Sequence, residues 1–599
     1  MWHPSFRDCL PALALALCLA CHEGGAPRDD KGDTALTDPD EDGDGFPASV
    51  DCDDEDASVW PGAEETCADG IDQDCDGRDP PESFSYPDGD GDGWGDSERG
   101  ERACGTPEGF VERGGDCDDT RPDLHPGQEE PCGAPNGLDE DCDGLIDECS
   151  LKRSALLLSG SREGDDAGQA VASGDLDGDG RLDLIVGAPR ADASASDSGE
   201  VYVVYAPLDA DRALADADAR VRGAGFDDHA GWAMAGGRDL TGDGLPDLLI
   251  GAIWENSLAT GGGAVYLVEG PILGLLGLDE ARFVGVGSER GAFAGNALAI
   301  VGDTNGDALP EILAGRLSSS LGAELGGGAV LLHSPFTGTR DLGAGEALLL
   351  GDIARAQAGS SLASAGDLDG DGFDDILVGA PEELLVSRDG HGRVYVLLGP
   401  LLGSLPLSAA DAQLLGEDDA WCAGISLDGG RDFDGDGYMD VLVGGACGYT
   451  AVEGDAGRSW LVRGPIAGLQ GLAEADLVVS GAVAAARAGH DAWRLGDGAG
   501  RSVAFGGDID GDGAEDLLIG ASRASLPEEE GGAVFVVNGP MSGRVSLSFC
   551  PFWTGAGPDA RLGIAVARLG DSDGDGRDEA LLGAHGANGT GVVWLAGMP

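Results

Sequence analysis

One acidic loop of nine residues recurs seven times along this chain, and that recurrence constrains the fold more than any other feature. The first copy is Asp175-Leu-Asp-Gly-Asp-Gly-Arg-Leu-Asp183. The others begin at Asp239, Asp303, Asp367, Asp432, Asp508 and Asp571, at intervals of 64, 64, 64, 65, 76 and 63 residues. A fixed period of this length marks a repeat architecture, in which each copy is one supersecondary unit that buries its apolar face only against its neighbours. An apolar run and a Gly-Ala turn follow most loops, as in Leu184-Ile-Val-Gly-Ala-Pro189 and Ile376-Leu-Val-Gly-Ala-Pro381. A strand of small residues precedes each loop, for example Ala358-Gly-Ser-Ser-Leu-Ala363. A third strand such as Val201-Tyr-Val-Val-Tyr205 comes later, then often a Gly-Pro turn (Gly270-Pro271, Gly399-Pro400, Gly464-Pro465, Gly539-Pro540), then a fourth strand such as Asp476–Val479. The runs have strand lengths, their boundaries are Gly, Pro and Asp, and no 3.6-residue period is sustained.

Four short strands repeated seven times predict an all-β chain whose residues 153–599 form a seven-bladed β-propeller. Only three strands remain to the last repeat before Pro599, whereas Ala155-Leu-Leu-Leu158 lies orphaned ahead of the first loop and resembles Ala347-Leu-Leu-Leu350. The N-terminal strand is therefore expected to complete the last blade and close the ring. The longer interval after the fifth loop reads as an insertion at about Ala473–Asp497.

The order of small-residue strand, acidic loop, apolar strand and Gly-Ala-Pro turn resembles the FG-GAP repeats of the integrin α-subunit N-terminal propeller. The resemblance covers about residues 153–599, although Ala-Gly often replaces Phe-Gly here. It implies a non-enzymatic, cell-surface binding or adhesion module in which each loop joins two strands around a Ca²⁺ ion. The residues independently suit that ion. Ca²⁺ takes six to eight oxygens, and carboxylates at positions 1, 3, 5 and 9, with the position-7 carbonyl, converge around a turn that Gly at position 6 permits. An EF-hand would need an acid at position 12, where the first loop has Val186.

The candidate ligands, position 7 acting through its carbonyl, are Asp175, Asp177, Asp179, Arg181 and Asp183 in the first loop, and Asp367, Asp369, Asp371, Phe373 and Asp375 in the fourth. The fifth has Asp432, Asp434, Asp436, Tyr438 and Asp440; the sixth has Asp508, Asp510, Asp512, Ala514 and Asp516; the seventh has Asp571, Asp573, Asp575, Arg577 and Glu579. The second loop (Asp239, Thr241, Asp243, Leu245, Asp247) lacks one anion. The third (Asp303, Asn305, Asp307, Leu309, Glu311) also has Ala308 in place of the turn Gly and is the weakest.

Upstream, residues 1–20 read as a signal peptide, Cys21 as a lipidation site, residues 21–39 as a flexible acidic tether, and 40–149 as a small disulfide-rich, Asp-rich irregular module. That module is duplicated. Asp51-Cys-Asp-Asp54, Cys67 and Asp72-Gln-Asp-Cys-Asp-Gly77 are matched by Asp116-Cys-Asp-Asp119, Cys132 and Asp139-Glu-Asp-Cys-Asp-Gly144, and each copy opens on an Asp-Gly-Asp-Gly run, at Asp40–Gly45 and Asp88–Gly93. It resembles the metal-binding motif of bacterial surface proteins related to a copper-binding family, and thrombospondin type 3 calcium repeats in its chemistry. Hard carboxylates favour Ca²⁺; copper would need imidazole or thiolate, and His125 is the one histidine present. A disulfide-stapled acidic linker without specific metal is the remaining alternative. The eight cysteines allow 105 pairings.

Cys422 and Cys447 flank the fifth loop at similar offsets and are expected to form a disulfide. Cys550 has no evident partner. A formal charge of −76 argues against binding nucleic acid or an anionic membrane face. No metalloprotease, P-loop or nucleophile-elbow motif is present, and catalysis is unsupported. The expected protein is a secreted monomer held at the outer membrane or cell surface by its lipid, with an extracellular protein or glycan as partner. An exported metal-sequestering or hydrolase-associated propeller is the alternative.

Overall fold

The structure, a computed structural model, describes residues 39–79, 81–126, 128, 138–142, 148–149, 155–208, 210–344, 347–381, 391–417, 422–446, 457–481, 500–524, 531–555 and 557–597. The leader, Cys21, nearly all of the tether, Cys132 and Cys447 lie outside these. The chain divides into two compact units, one ending at Gly114 and one beginning at Gly115.

In the first unit, the strand Glu82–Pro87 is flanked by Glu101–Cys104 and Phe110–Val111 in an antiparallel sheet. Disulfides Cys52–Cys75 and Cys67–Cys104 staple the irregular acidic segment. In the second unit, Cys117–Cys142 repeats the first of these pairings, and the Cys117 N–H lies 3.1 Å from Cys142 Sγ as the Cys52 N–H lies 3.2 Å from Cys75 Sγ.

The rest of the second unit is all β. Among the described residues there is no α-helix, only three-residue 3₁₀ turns, and there are seven five-stranded sheets. In the first sheet Ala170–Gly174, Asp183–Ala188, Glu200–Val204 and Ala219–Arg222 run antiparallel in chain order. A fifth strand, Gly274–Gly277, then adds in parallel beside Ala219–Arg222. It comes from the following repeat, so each sheet borrows its outer edge from the next. This corrects the four strands read from the sequence. The fifth strands are two to four residues long and carry no alternating pattern, which is why they are silent there.

The second strand of each sheet is buried at every residue. Successive side chains face opposite neighbours, as strand geometry requires. Leu184 and Val186 join a cluster with Leu581, Val593 and Leu595 of the last sheet, while Ile185 joins Leu248, Ile250 and Tyr266 of the second. Seven such clusters lie between consecutive sheets, the seventh between last and first. The innermost strands likewise touch in sequence, and Ala565–Gly570 touches Ala170–Gly174. No sheet closes on itself; the sheets follow one another as propeller blades do.

The last sheet holds Ala565–Gly570, Glu579–Ala584, Val592–Ala596 and, antiparallel to the last of these, Ala155–Ser159. The orphan strand thus pairs as its sequence predicts. Six residues upstream, Glu148–Cys149 provides the parallel fifth strand of the sixth sheet beside Phe552–Thr554. The expected insertion is shorter than read: Leu472–Glu474 is the usual 3₁₀ turn and Leu477–Ser480 the usual fourth strand, so the additional residues fall after Gly481, outside the described ones.

Candidate metal centres

Each acidic loop joins the first and second strands of its sheet, so all seven leave their sheets at the same strand end. The first is held by its own backbone. Asp175 accepts from Gly178 N–H (2.8 Å) and Gly180 N–H (2.9 Å), Asp177 from Asp179 N–H (3.0 Å), and Asp179 from Arg181 N–H (2.8 Å). Gly178 and Gly180 have φ of +81° and +90°, the left-handed region that glycine enters without strain. The same pattern recurs at Asp367, Asp432 and Asp571. In the third loop Ala308 takes the position-6 conformation at φ +67° and still donates to Asp303, so the turn is kept despite the missing glycine.

Position 9 has a second task that the sequence reading missed. Asp183 is fully buried; one oxygen accepts from Leu176 N–H (2.7 Å) and the other from Ala206 N–H (3.1 Å), at the turn beyond the third strand. Asp247 binds Leu240 and Gly270 in the same way, Asp375 binds Leu368 and Gly399, Asp440 binds Phe433 and Gly464, and Asp516 binds Ile509 and Gly539. This carboxylate clamps the loop to the Ala-Pro or Gly-Pro turn and keeps lone pairs for a cation. Burial first, and then the charges of other loop aspartates, pushes all five carboxyls up to about 6. Glu311 and Glu579 are pushed up for the same leading reason.

The donor sets are oxygen only, which suits a hard divalent cation. In the seventh loop, oxygens of Asp571, Asp573, Asp575 and Glu579 all lie within 4.8 Å of one another. The third loop fits less well: the Asn305 amide donates to Glu311 at 2.6 Å and His333 stands 3.7 Å from the same carboxylate. His333 precedes its Ser-Pro turn. At the equivalent place before later Gly-Pro turns, Arg463 Nη1 lies 3.1 Å from Asp434, and the Asn538 amide donates to Asp510. The sequence signal for these neighbours is their fixed position one residue before the turn. The position-7 side chains, read only as carbonyl bearers, also reach back: Leu245, Phe373 and Arg577 pack beside Gly178, Gly306 and Gly511 of the preceding loops.

Cys422 is disulfide-bonded, and Cys447 lies outside the described residues. Cys550 is the one free cysteine among the described residues, buried, with its thiol pushed up to about 11 by that burial. His125 occupies the position of Trp60 in the first copy: its N–H donates to the Glu140 carbonyl as that of Trp60 donates to Gln73.

The FG-GAP repeat family model matches residues 167–204, 230–268, 358–397 and 499–537, which contain the first, second, fourth and sixth loops. A family described as "Putative metal-binding motif" matches residues 51–80 and 116–148. Among curated proteins, integrin alpha pat-2 of Caenorhabditis briggsae is 31% identical over 36% of this chain and 18% of its own length. Integrin alpha-3 of Cricetulus griseus is 35% identical over 30% of this chain and 16% of its own, and human integrin alpha-IIb 34% identical over 26% and 15%. The chain thus spans less than a fifth of the length of these relatives. A solved structure of BBS1N in complex with ARL6DN, soaked with lead, covers 74% of this chain at 12% identity with a TM-score of 0.34, a similarity too low to bear on the fold. The matched segments coincide with strands and loops of the same geometry, and the chain accordingly carries FG-GAP repeats and a duplicated metal-binding motif, with partial similarity to integrin α subunits.

Proposed function

We propose that this chain is a calcium-binding, non-enzymatic binding or adhesion module displayed outside the cell, its second unit a seven-bladed propeller closed by Ala155–Ser159. The observation that carries the reading is the sevenfold carboxylate loop at one strand end of consecutive sheets. Seven sets of acids gathered in tight turns repel one another unless cations neutralise them, and Ca²⁺ is the ion these oxygens suit. The ligands are the residues of positions 1, 3, 5, 7 and 9 in each loop. A Cys422–Cys447 disulfide would join the first two strands of the fifth sheet, Ser426–Arg431 and Asp440–Gly445, at the ends away from their loop. No helix of the described residues is long and apolar enough to cross a membrane, and attachment through lipid on Cys21 belongs to the same proposal.

With cations at one end, the opposite strand ends are left for a partner, an extracellular protein or glycan. There the connection from the first sheet to the second exposes Phe226, loops within the second and third sheets expose Trp254, Leu258 and Leu321, and Trp254 packs edge-on against Phe293. Exposed aromatic and aliphatic side chains grouped on loops are what binding surfaces use. A glycan array and a whole-cell pull-down, each in Ca²⁺ and in EGTA, test this. Binding in Ca²⁺ that EGTA abolishes, and that Trp254→Ala weakens at least tenfold with bound calcium unchanged, is the expected result. Equal binding by the variant would remove this surface from the proposal.

Arg463 offers a test of the fifth loop by itself. Its guanidinium competes with a cation for Asp434, so Arg463→Leu is expected to tighten that site about fivefold, roughly 1 kcal/mol for a partly exposed ion pair. Tb³⁺ luminescence sensitised through Tyr438, with Tyr438→Leu as the blank, reads this site. An unchanged midpoint would mean that Arg463 does not occupy the cation's place.

A further inference from the structure

We propose that the strand ends opposite the acidic loops carry an anion site for a phosphate or sulfate ester, formed by Arg501 and Arg523 of the sixth sheet with Arg561 and His585 of the seventh. The site goes beyond the function proposed above, and it needs neither the acidic loops nor the aromatic side chains around Trp254.

The backbone brings these residues together from consecutive sheets. Arg501 directly follows Gly500, whose N–H donates to the Gly520 carbonyl at 3.0 Å, and Arg523 stands three residues beyond Gly520. In the seventh sheet Gly563 N–H donates to the Gly583 carbonyl at 2.9 Å, with Arg561 two residues before Gly563 and His585 two after Gly583. The two sheets meet closely here. Ser502 Oγ donates to the Gly563 carbonyl at 2.9 Å, and a Cβ on Gly520 would lie 2.3 Å from the same oxygen. The approach repeats between the last and first sheets, where a Cβ on Gly583 would lie 2.3 Å from the Gly168 carbonyl, and Arg190 pairs with Asp166 at 3.3 Å. Arg501 departs from its repeat: the residues that follow the equivalent glycines are Gln169, Trp232, Asn296, Ser360, Ile425 and Ile564.

With 111 acidic residues to 35 basic ones, an arginine of this chain readily finds a carboxylate, as Arg212 finds Asp218 and Arg568 finds Asp578. Among the described residues neither Arg501 nor Arg523 stands in such a pair. Burial, and then the like charge of Arg523, lowers the pKa of Arg501. Arg501 is nevertheless open to solvent. A side chain both wetted and desolvated by surrounding protein lines a concave wall, as binding sites do. Burial also holds the His585 ring below its ordinary value; Asp166 opposes this, and Arg561, Arg190 and Arg501 add to it. Guanidiniums from three sheets therefore lie within electrostatic reach of one imidazole. Its Nδ1 is buried with no hydrogen-bond partner. Like charges gathered beside an unsatisfied ring nitrogen are costly until an anion joins them. One bidentate arginine satisfies a carboxylate, whereas donors arriving from two sheets suit the three terminal oxygens of a phosphate or sulfate ester.

Isothermal titration of the full chain in Ca²⁺ with glucose 6-sulfate and glucose 6-phosphate tests the site, with glucose and glucuronate as the neutral and carboxylate probes. One equivalent of at least one ester is expected to bind, glucose not at all and glucuronate more weakly. Arg501→Gln and Arg523→Gln should each weaken the ester about tenfold, the loss of one charge-assisted contact, with the melting temperature unchanged. Arg212→Gln, outside the site, should bind as the unaltered chain does. Binding of both esters supports the shared tetrahedral chemistry, and binding of one supports it and names the source. No ester binding, equal binding by the variant carrying both substitutions, or glucuronate binding as tightly as the esters overturns the proposal. These small probes are scored apart from the glycan array and pull-down, so this site and the proposed partner surface can each fail alone.

Discussion

Chelation at pH 7 is expected to lower the melting temperature by at least about 10 °C, and to reverse the sign of its dependence on pH. Each loop that binds Ca²⁺ at a hundredfold excess over its Kd contributes about 2.7 kcal/mol to the folded state. A second unit of this size unfolds with an entropy near 1 kcal/mol per kelvin, so the four loops with Asp at all four acidic positions correspond to roughly 10 °C. The pH effect follows from the position-9 carboxyls. Asp183, Asp247, Asp375, Asp440 and Asp516 all ionise near 6 in the metal-free fold, pushed up by burial and then by neighbouring acids. A carboxyl that holds its proton better folded than unfolded favours folding below the unfolded value near 4. That contribution is lost as the pH rises through about 6, and amounts to roughly 3 kcal/mol per group at about 1.4 kcal/mol per pH unit. In EGTA the melting temperature should therefore fall between pH 4.5 and 7. In Ca²⁺ the same groups must lose their protons to bind the ion, and the melting temperature should rise over that interval. Calorimetric scans in the two buffers decide it; parallel curves would mean that these carboxylates meet no cation.

Replacing Leu158 by Asp is expected to unfold the second unit or cost more than 5 kcal/mol even in saturating Ca²⁺, with Leu158→Ala costing about 2–5 kcal/mol. Leu158 is fully buried among Leu184, Val186, Tyr202, Leu581, Val593 and Leu595, at the contact between the last and first sheets. Its strand pairs over five residues with Val592–Ala596, so losing it also bares an edge of hydrogen-bonding groups. The exposed Leu273 supplies the comparison: Leu273→Ala should change stability by less than about 0.5 kcal/mol. Urea unfolding at fixed Ca²⁺ measures all three variants. A cost below 1 kcal/mol for Leu158→Ala would mean that the pairing does little to hold the sheets together.

The loops and the first four strands were legible because both are local signals. An Asp-Gly turn makes its hydrogen bonds within six residues, and a strand buried on both faces is an apolar run between turns. The closing strand was legible by subtraction, since one repeat was a strand short. What stayed hidden depends on partners far away in sequence. Gly274–Gly277 has exposed or half-buried residues and is a strand only because Ala219–Arg222 lies beside it. The clamping role of Asp183 appears only once Ala206 is brought to it, and the approach of Arg463 to Asp434 only once the turn has formed.

Glu148–Cys149 and Ala155–Ser159 stand where tension on the chain would enter the sheets. They belong to different sheets, the sixth and the seventh. Tension drawn on the chain from its N-terminal side is therefore delivered into both sheets in turn, first along the parallel pairing with Phe552–Thr554 and then along the antiparallel pairing with Val592–Ala596. A molecule held from that side and pulled through a bound partner would resist by shearing two rows of hydrogen bonds in series.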